Sequence, residues 1–237
     1  MRHVCGRYVS VSSPTILAER FKVETVRVGA EPEPNYNVTP RADVAVVAES
    51  QGERVLDLVR WGLVPSWAKD LSIGDRLINA RAESVATSNA YKRAFERRRC
   101  IIPADGFYEW EMVAGRKAKR PWFIRRRDGE PLAFAGLWEV WHDPNLGDDA
   151  PRVRSCVIIT TEPNEVLARI HDRMPVVLPE SAWDSWLDRD NHDVRALGKL
   201  LVPAPAGEFE AWPVSTLVNK PANNGPELLD PAPIDSE

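Results

Sequence analysis

Three side chains in this sequence have the chemistry of a covalent reaction centre: Cys5, close to the amino terminus, Glu109 and His171. A thiol is a nucleophile, a carboxyl group with a raised pKa can transfer protons, and an imidazole can do so near neutral pH. Together they are the residue types of a triad-like cysteine hydrolase. If Cys5 carries a free amine, they also suit the capture of an aldehyde.

Taken singly, each residue has an ordinary interpretation. A lone cysteine near a terminus is more often inert than catalytic. Glu109 lies in the alternating run FYEWE, where it would be the solvent-facing member of a strand, and His171 would cap the end of a predicted helix. Asn79 and Arg81 would be loop and ion-pair residues. A functional assignment therefore has to rest on the pattern as a whole.

Five separated motifs carry that pattern. In chain order they are CGRY at 5–8, WGLVPSW at 61–67, NARAE at 79–83, PADGFYEW at 103–110, and TT at 160–161 with Asn164 and then IHDRMP at 170–175. In this order and spacing they resemble the SOS response-associated peptidase (SRAP) family over nearly the whole chain. Any one motif is weak alone, but five in register are specific.

The resemblance implies a sensor of abasic sites in single-stranded DNA, which shields the lesion by a covalent link through an amino-terminal cysteine. It implies that Cys5 is the nucleophile, Glu109 the acid–base carboxylate and His171 a group at the reacting centre. It further implies that Asn79 hydrogen-bonds the adduct. The DNA-binding residues that it implies are Arg7, Asn37, Pro40, Trp67 and Arg81, with both arginines on phosphates. No metal or cofactor is implied.

The chemistry of an amino-terminal cysteine supports this interpretation. A neutral amine adds to an aldehyde and loses water to give an imine, and this step needs a proton donor for the departing hydroxyl. A thiol on the same residue then closes on the imine carbon to form a five-membered thiazolidine. An α-amine has an ordinary pKa of about 7.7–8.0, so a usable fraction is neutral near pH 7.

The start of the chain departs from the family pattern. In the family the cysteine directly follows the initiator methionine, whereas here residues 1–4 precede Cys5. An internal cysteine has its nitrogen in an amide, so we expect residues 1–4 to be absent from the mature protein. Either Val4 is the true start, encoded by GTG, or the chain cleaves itself before Cys5, which fits the peptidase activity proposed for the family. We prefer the first route.

Composition sets the remaining expectations. The chain has 237 residues, 43% hydrophobic and 28% charged, as in an ordinary globular protein. No apolar run is long enough to span a bilayer, and the amino terminus lacks the apolar stretch of a secretory signal. We expect a cytoplasmic monomer. Because the net charge is −4, DNA binding requires a local basic patch.

Several elements are expected to position these residues. Alternating runs predict strands at DVAVVAES, RVLDLVRWG and CIIPADGFYEWEMV, and helices are predicted at TILAERF, at 87–99 and from Pro163. The fold class is α+β, a single domain over 1–237 with a β-rich, barrel-like mixed sheet and peripheral helices. The tail after about residue 221 is expected to fray. Cys100 and Cys156 are expected to be buried thiols.

Two other functions remain open. One is a Cys5–His171–Glu109 peptidase acting in trans, which would not need a free amine at Cys5. The other is a non-catalytic single-strand binding module that uses tryptophan and arginine. The basic runs at 96–99 and 125–127 are most simply solvated faces, though either could follow a DNA path.

Overall fold

Strands dominate the residues described by this computed structural model, which are 5–115, 118–147 and 151–233. In chain order, the strands in those ranges are β1 (Tyr8–Ser10), β2 (Thr25–Val26), β3 (Asn35–Val38), β4 (Asp43–Ser50), β5 (Glu53–Trp61), β6 (Asn79–Arg81), β7 (Arg99–Ala104), β8 (Gly106–Glu111), β9 (Arg120–Arg126), β10 (Leu132–Trp141), β11 (Val153–Thr161), β12 (Met174–Pro175) and β13 (Phe209–Pro213). The α-helices are short: α1 (Pro14–Phe21), α2 (Lys92–Arg97), α3 (Trp183–Leu187) and α4 (Val194–Lys199). None of them is long and apolar enough to cross a membrane.

Five of the strands close into a mixed barrel. The order β4–β5–β11–β10–β7 returns to β4, with one parallel pair, β5 with β11, and antiparallel pairs elsewhere. The Val-rich strands alternate, so one set of side chains fills the interior, where Trp61, Phe134 and the expected buried thiols Cys100 and Cys156 lie. The predicted α+β fold with a barrel-like mixed sheet is confirmed.

A second, antiparallel sheet in the order β13–β9–β8–β1–β3 packs on the barrel. The chain passes from the barrel to this sheet between β7 and β8, at Asp105, whose carboxylate accepts the N–H groups of Val11 and Ser12 at 2.6 and 3.0 Å. The next residue, Gly106, has no room for a side chain, because a Cβ would lie 2.3 Å from Cζ of Phe123. The ADG sequence thus fixes where β8 begins.

Two predicted helices are shorter than expected. Residues 84–91 form successive turns, so the helix predicted at 87–99 is α-helical only in α2. After Pro163, the Asn164 side chain accepts the Leu167 N–H at 3.0 Å and donates to the Ala204 carbonyl. These bonds initiate a single 3₁₀ turn, Leu167–Arg169, before the chain returns as β12.

The segment after residue 221 packs against the second sheet as far as residue 233, instead of fraying. A 3₁₀ turn at Pro226–Leu229 places Leu228 fully buried in an apolar cluster with Val9 and Tyr108. The indole N–H of Trp212 donates to the Leu229 carbonyl at 2.8 Å. The composition of this segment predicts fraying, but one leucine and a few main-chain bonds are enough to hold it.

Candidate active site

The main chain near the amino terminus runs directly beside β8. Tyr8 of β1 pairs with Phe107 of β8. This register brings the nitrogen of Cys5 to 2.6 Å from Oε1 of Glu109, which lies 104 positions later in the chain. The donor is a peptide nitrogen in the 237-residue chain, and it corresponds to the α-amine of a chain that begins at Cys5.

This contact is buried and its backbone is constrained. Cys5 is fully buried and Glu109 is 2% exposed. Cys5 also has a φ of +44°, in the left-handed region that costs a residue with a side chain about 1–3 kcal/mol. Surrounding contacts must therefore hold Cys5 in place, and it packs in the main core cluster together with Ile170 and Met174.

Burial also controls the protonation of the carboxyl group. It raises the pKa of Glu109 to about 8, because an ionised carboxylate loses its hydration there. The N–H groups of Cys5 and Trp110 and the charge of Lys119 act in the opposite direction, while the charge of Asp172 raises the pKa further. At neutral pH the group is mostly a neutral acid, which can donate a proton.

The thiol of Cys5 is held in its neutral form as well. Burial raises its pKa well above the ordinary value, and the nearby Glu109 raises it further. Cysteine hydrolases activate the nucleophile by the opposite shift, through a cationic or dipolar neighbour. The Cys5 thiol therefore lacks the environment that keeps the nucleophile of a cysteine hydrolase ionised.

Asn79 and His171 lie at the carboxyl end of β11. Asn79 opens β6, which pairs with β11 in parallel register, and β12 pairs with β11 on the other side, three residues after His171. Nδ1 of His171 lies 2.9 Å from Oδ1 of Asp172 and 3.2 Å from the Arg173 N–H. A proton on Nδ1 favours the first contact and its loss favours the second.

The turn that holds His171 belongs to the same site as Glu109. Asp172, the next residue, is one of the charges that act on Glu109, and Ile170 packs in the core cluster that contains Cys5. Within the described residues, no group of three or more His, Cys, Asp or Glu side chains is placed to hold a metal. The structure thus brings Cys5, Glu109 and the His171 turn together.

One ion pair that the sequence analysis did not single out joins two of the motifs. The Arg173 guanidinium donates to both carboxylate oxygens of Glu83 and, at 2.7 Å, to the Thr160 carbonyl. Glu83 ends the NARAE motif and Arg173 lies in the IHDRMP motif. Their presence in two matched motifs was a signal that both are structurally constrained.

Arg7 and Asn37 contact the C-terminal segment. Nη1 of Arg7 donates to Oδ1 of Asn37 and to the Val218 carbonyl, both at 2.7 Å, and the guanidinium lies 5.8 Å from the Trp110 ring centroid. Asn37 is 3% exposed, and its amide donates to the carbonyls of Val218, Lys220 and Asn223. Asn37 therefore offers no surface to DNA in this structure. One nitrogen of the Arg7 guanidinium is already engaged in hydrogen bonds within the protein.

The other residues expected along a DNA path lie at the surface. Trp67 is 58% exposed, and its indole N–H lies 3.5 Å from the Asn89 carbonyl. Arg81 is exposed at the end of β6, two residues after Asn79, and Pro40 is half-buried beyond β3. Arg81 and Trp67 thus remain open to a ligand.

Comparisons with known proteins agree on one family. The family described as SOS response associated peptidase (SRAP) matches residues 4–221. The chain is 40% identical over 227 residues to abasic site processing protein YoqW of Bacillus subtilis (strain 168), covering 96% of this chain and 99% of that protein. It is 32% identical to abasic site processing protein YedK of Escherichia coli (strain K12), covering 96% and 100%.

Solved structures show the same fold. A protein from Bacteroides thetaiotaomicron superimposes with a TM-score of 0.84 at 22% identity, covering 96% of this chain and all of that one. A protein from Bordetella bronchiseptica superimposes with a TM-score of 0.73 at 25% identity, covering 89% and 100%.

The raised pKa of Glu109 predicts how stability depends on pH. The folded chain keeps a proton up to about pH 8, whereas an unfolded glutamate releases it near pH 4.3. Between these values the unfolded state binds fewer protons, so the free energy of unfolding falls as pH rises, by at most about 1.4 kcal/mol per pH unit.

Urea unfolding of the wild type and of Glu109→Gln between pH 4 and pH 9 measures this decline. The glutamine has no proton to lose, so the difference between the two curves should change across this range. Glu111→Gln, two residues along β8, is the matched control and should follow the wild type. Parallel curves for the wild type and Glu109→Gln would show that the carboxyl titrates normally.

Proposed function

This chain belongs to the SOS response-associated peptidase (SRAP) family, and from that premise we propose that it captures abasic sites in single-stranded DNA through a covalent bond to Cys5. The names of relatives such as YoqW and YedK, both abasic site processing proteins, support the substrate. The observation that carries the chemistry is the 2.6 Å contact between the Cys5 nitrogen and the buried Glu109 carboxyl.

The reaction begins with the ring-opened aldehyde of the abasic sugar. The neutral amine of Cys5 adds to the aldehyde carbon and forms a carbinolamine. Glu109, whose pKa is raised by burial, gives its proton to the carbinolamine hydroxyl, which leaves as water. The product is a protonated imine, an iminium ion, between the Cys5 nitrogen and the sugar, and Glu109 is left as a carboxylate.

The second step closes a ring. The Cys5 sulfur bonds to the imine carbon, the thiol proton passes to the Glu109 carboxylate, and the electron pair of the C=N bond returns to the nitrogen, which keeps its proton as a secondary amine. The result is a five-membered thiazolidine. Because burial raises the pKa of the thiol, the sulfur stays neutral until the imine beside it provides an acceptor for its electrons.

Asn79 and His171 would act on the sugar side of this reaction. Asn79, the first residue of β6, would hydrogen-bond the adduct. His171 lies in the turn whose neighbour Asp172 acts on Glu109, and its Nδ1 contacts both Asp172 and the Arg173 N–H. Such a ring can exchange a proton with the hydroxyl of the opened sugar during capture and release.

The mechanism requires a free amine at Cys5, so residues 1–4, which lie outside the described residues, must be absent from the active form. A start at Val4 with methionine removal achieves this. Self-cleavage is the alternative, and one observation favours it: the Glu109 carboxyl adjoins the nitrogen that would leave when the bond before Cys5 breaks. The intact mass of the purified protein distinguishes a chain that starts at Cys5 from the full-length chain.

The first test of this proposal is adduct formation. A chain that begins at Cys5 should form a denaturant-resistant adduct with a single-stranded oligonucleotide that contains one abasic site. Cys5→Ala, retention of residues 1–4, or masking of the aldehyde with an alkoxyamine should each abolish the adduct. Crosslinking that survives Cys5→Ala would refute the proposal, and activity on peptides with a blocked amine would favour the peptidase alternative.

A second test concerns the proton donor. The wild-type rate of adduct formation should rise with pH as the amine loses its proton and fall at higher pH as Glu109, whose pKa is raised by burial, ionises. Glu109→Gln should slow the reaction by roughly 10²–10⁴-fold, the effect of losing a general acid, and should lose the alkaline fall.

Borohydride trapping of the imine in a crosslinking time course measures both effects. His171→Gln, the comparison variant, should keep a detectable adduct with an altered rate of formation or reversal. Wild-type rates for Glu109→Gln at every pH would exclude the carboxyl from the mechanism.

A third test separates the two arginines of the expected DNA path. Arg81→Gln should weaken binding to intact and abasic single strands alike, and should reduce the slope of log K against log salt by about 0.7, the value for one phosphate contact on a single strand. Arg7→Gln should instead lower the free energy of unfolding by about 1.5–3 kcal/mol, the contribution of a hydrogen bond to a charged group.

Salt titrations by fluorescence anisotropy, together with urea unfolding, distinguish these outcomes. A salt slope that changed for Arg7→Gln but not for Arg81→Gln would place the phosphate path on the other side of the site.

A further inference from the structure

Within the described residues, ten arginines of this acidic protein form ion pairs with carboxylates. The basic run at 125–127 is typical: Arg125 pairs with Glu210 at 2.7 Å, and Arg126 pairs with Asp128 at 2.6 Å. Such pairs leave little positive potential for a ligand. Two of the three arginines of this run are therefore neutralised at the edge of the second sheet.

The cations around α2 differ. Within the described residues, neither Arg93 nor Arg97 of α2 takes part in an ion pair, and neither does Arg189 beyond α3; all three are exposed. Together with Arg98 they line one surface depression of about 440 Å³, in which Glu96 is the acidic lining residue. We call Arg93, Arg97, Arg98 and Arg189 the α2 surface.

A second depression continues from the α2 surface. Arg189 lines both, and the second also contains Arg27, Arg154 and the half-buried ring of Trp138. The guanidinium of Arg98 lies 5.9 Å from the Trp138 ring centroid. Arg98 is paired with Glu139 and Arg154 with Asp57, and Glu49 also lines the second depression. In the described part of the chain, the positive charge without an ion pair on these two surfaces therefore lies on Arg27, Arg93, Arg97 and Arg189.

This arrangement is unfavourable for the free protein. Ala94 and Phe95 are the buried residues of α2, so Arg93 and Arg97, four residues apart, share its exposed side. Like charges at this spacing destabilise a helix. Since no carboxylate is paired with either arginine, a bound anion is the partner that would offset their repulsion.

The α2 surface starts next to the candidate active site. The hydroxyl group of Tyr91, which directly precedes α2, donates to the Asn79 carbonyl at 3.2 Å. The six residues of α2 extend about 9 Å, which is comparable to two or three nucleotides at a rise of about 3.4 Å. A strand that leaves the site in this direction reaches the arginines within a few nucleotides.

We propose that the α2 surface binds the phosphate backbone of the strand that extends from the lesion. This inference rests on the function proposed above and adds a second contact region. Arginine suits the role, because its planar fork binds phosphate oxygens in pairs. Contacts of this kind position a strand without reading its sequence.

Binding of intact single strands of increasing length tests the inference. Arg93→Gln combined with Arg97→Gln should reduce the slope of log K against log salt by about 1.4, since two phosphate contacts are lost at about 0.7 each. The loss should be larger with a strand of about 16 nucleotides, which can contact the active site and the α2 surface together, than with one of about 4, the limits of common single-strand site sizes.

Arg125→Gln combined with Arg127→Gln removes the same charge from the other basic run and should leave the slope unchanged. The yield of abasic adduct at saturating DNA should be equal in all three proteins, because none of these residues contacts Cys5. If both double variants bind long strands like the wild type, the α2 surface is not a nucleic-acid site and an acidic protein partner becomes the better explanation. A wild type that forms no adduct would instead overturn the proposed function.

Discussion

The contact between the nitrogen of Cys5 and the carboxyl group of Glu109 is the constraint on which the rest of the structure depends. A carboxylate removed from water is costly, and it avoids most of that cost by taking up a proton. The fold must therefore bury Glu109 and at the same time leave one polar partner beside it. Cys5 supplies that partner through its main chain, in a backbone conformation that residues with side chains seldom adopt.

The two sheets share this task. The barrel supplies an apolar wall, and the second sheet lays β8 across it, so that Phe107 and Glu109, two residues apart, face the same side. Asp105 and Gly106 make the passage between the sheets possible, the first by holding the end of β1 and the second by allowing Phe123 to approach the backbone. The PADGFYEW motif thus provides both the passage between the two sheets and the buried carboxyl group of Glu109.

Sequence patterns predicted the barrel strands well, because a closed barrel buries one side of each strand. Inward-facing and outward-facing residues therefore alternate along the strand with a period of two. The same rule misplaces Glu109, which alternation alone puts in solvent, since it takes no account of the barrel that covers this side of β8. Only the motif set identified this residue. The burial of Leu228 and the contacts of Arg7 and Asn37 with the C-terminal segment depend on residues about 180–220 positions apart, and no local pattern reports such pairings.

The charged side chains also divide between those that pair within the protein and those that remain available to a ligand. A net charge of −4 opposes tight binding to nucleic acid as a whole, and ion pairs such as Arg125 with Glu210 cancel many of the cations that remain. Arg81 beside the site and the unpaired arginines of α2 are exceptions. In the proposed reaction, specificity comes from the aldehyde, which intact DNA lacks. Non-covalent contacts then need only be strong enough to hold a strand while the amine reacts, and weak enough to release every strand that carries no lesion.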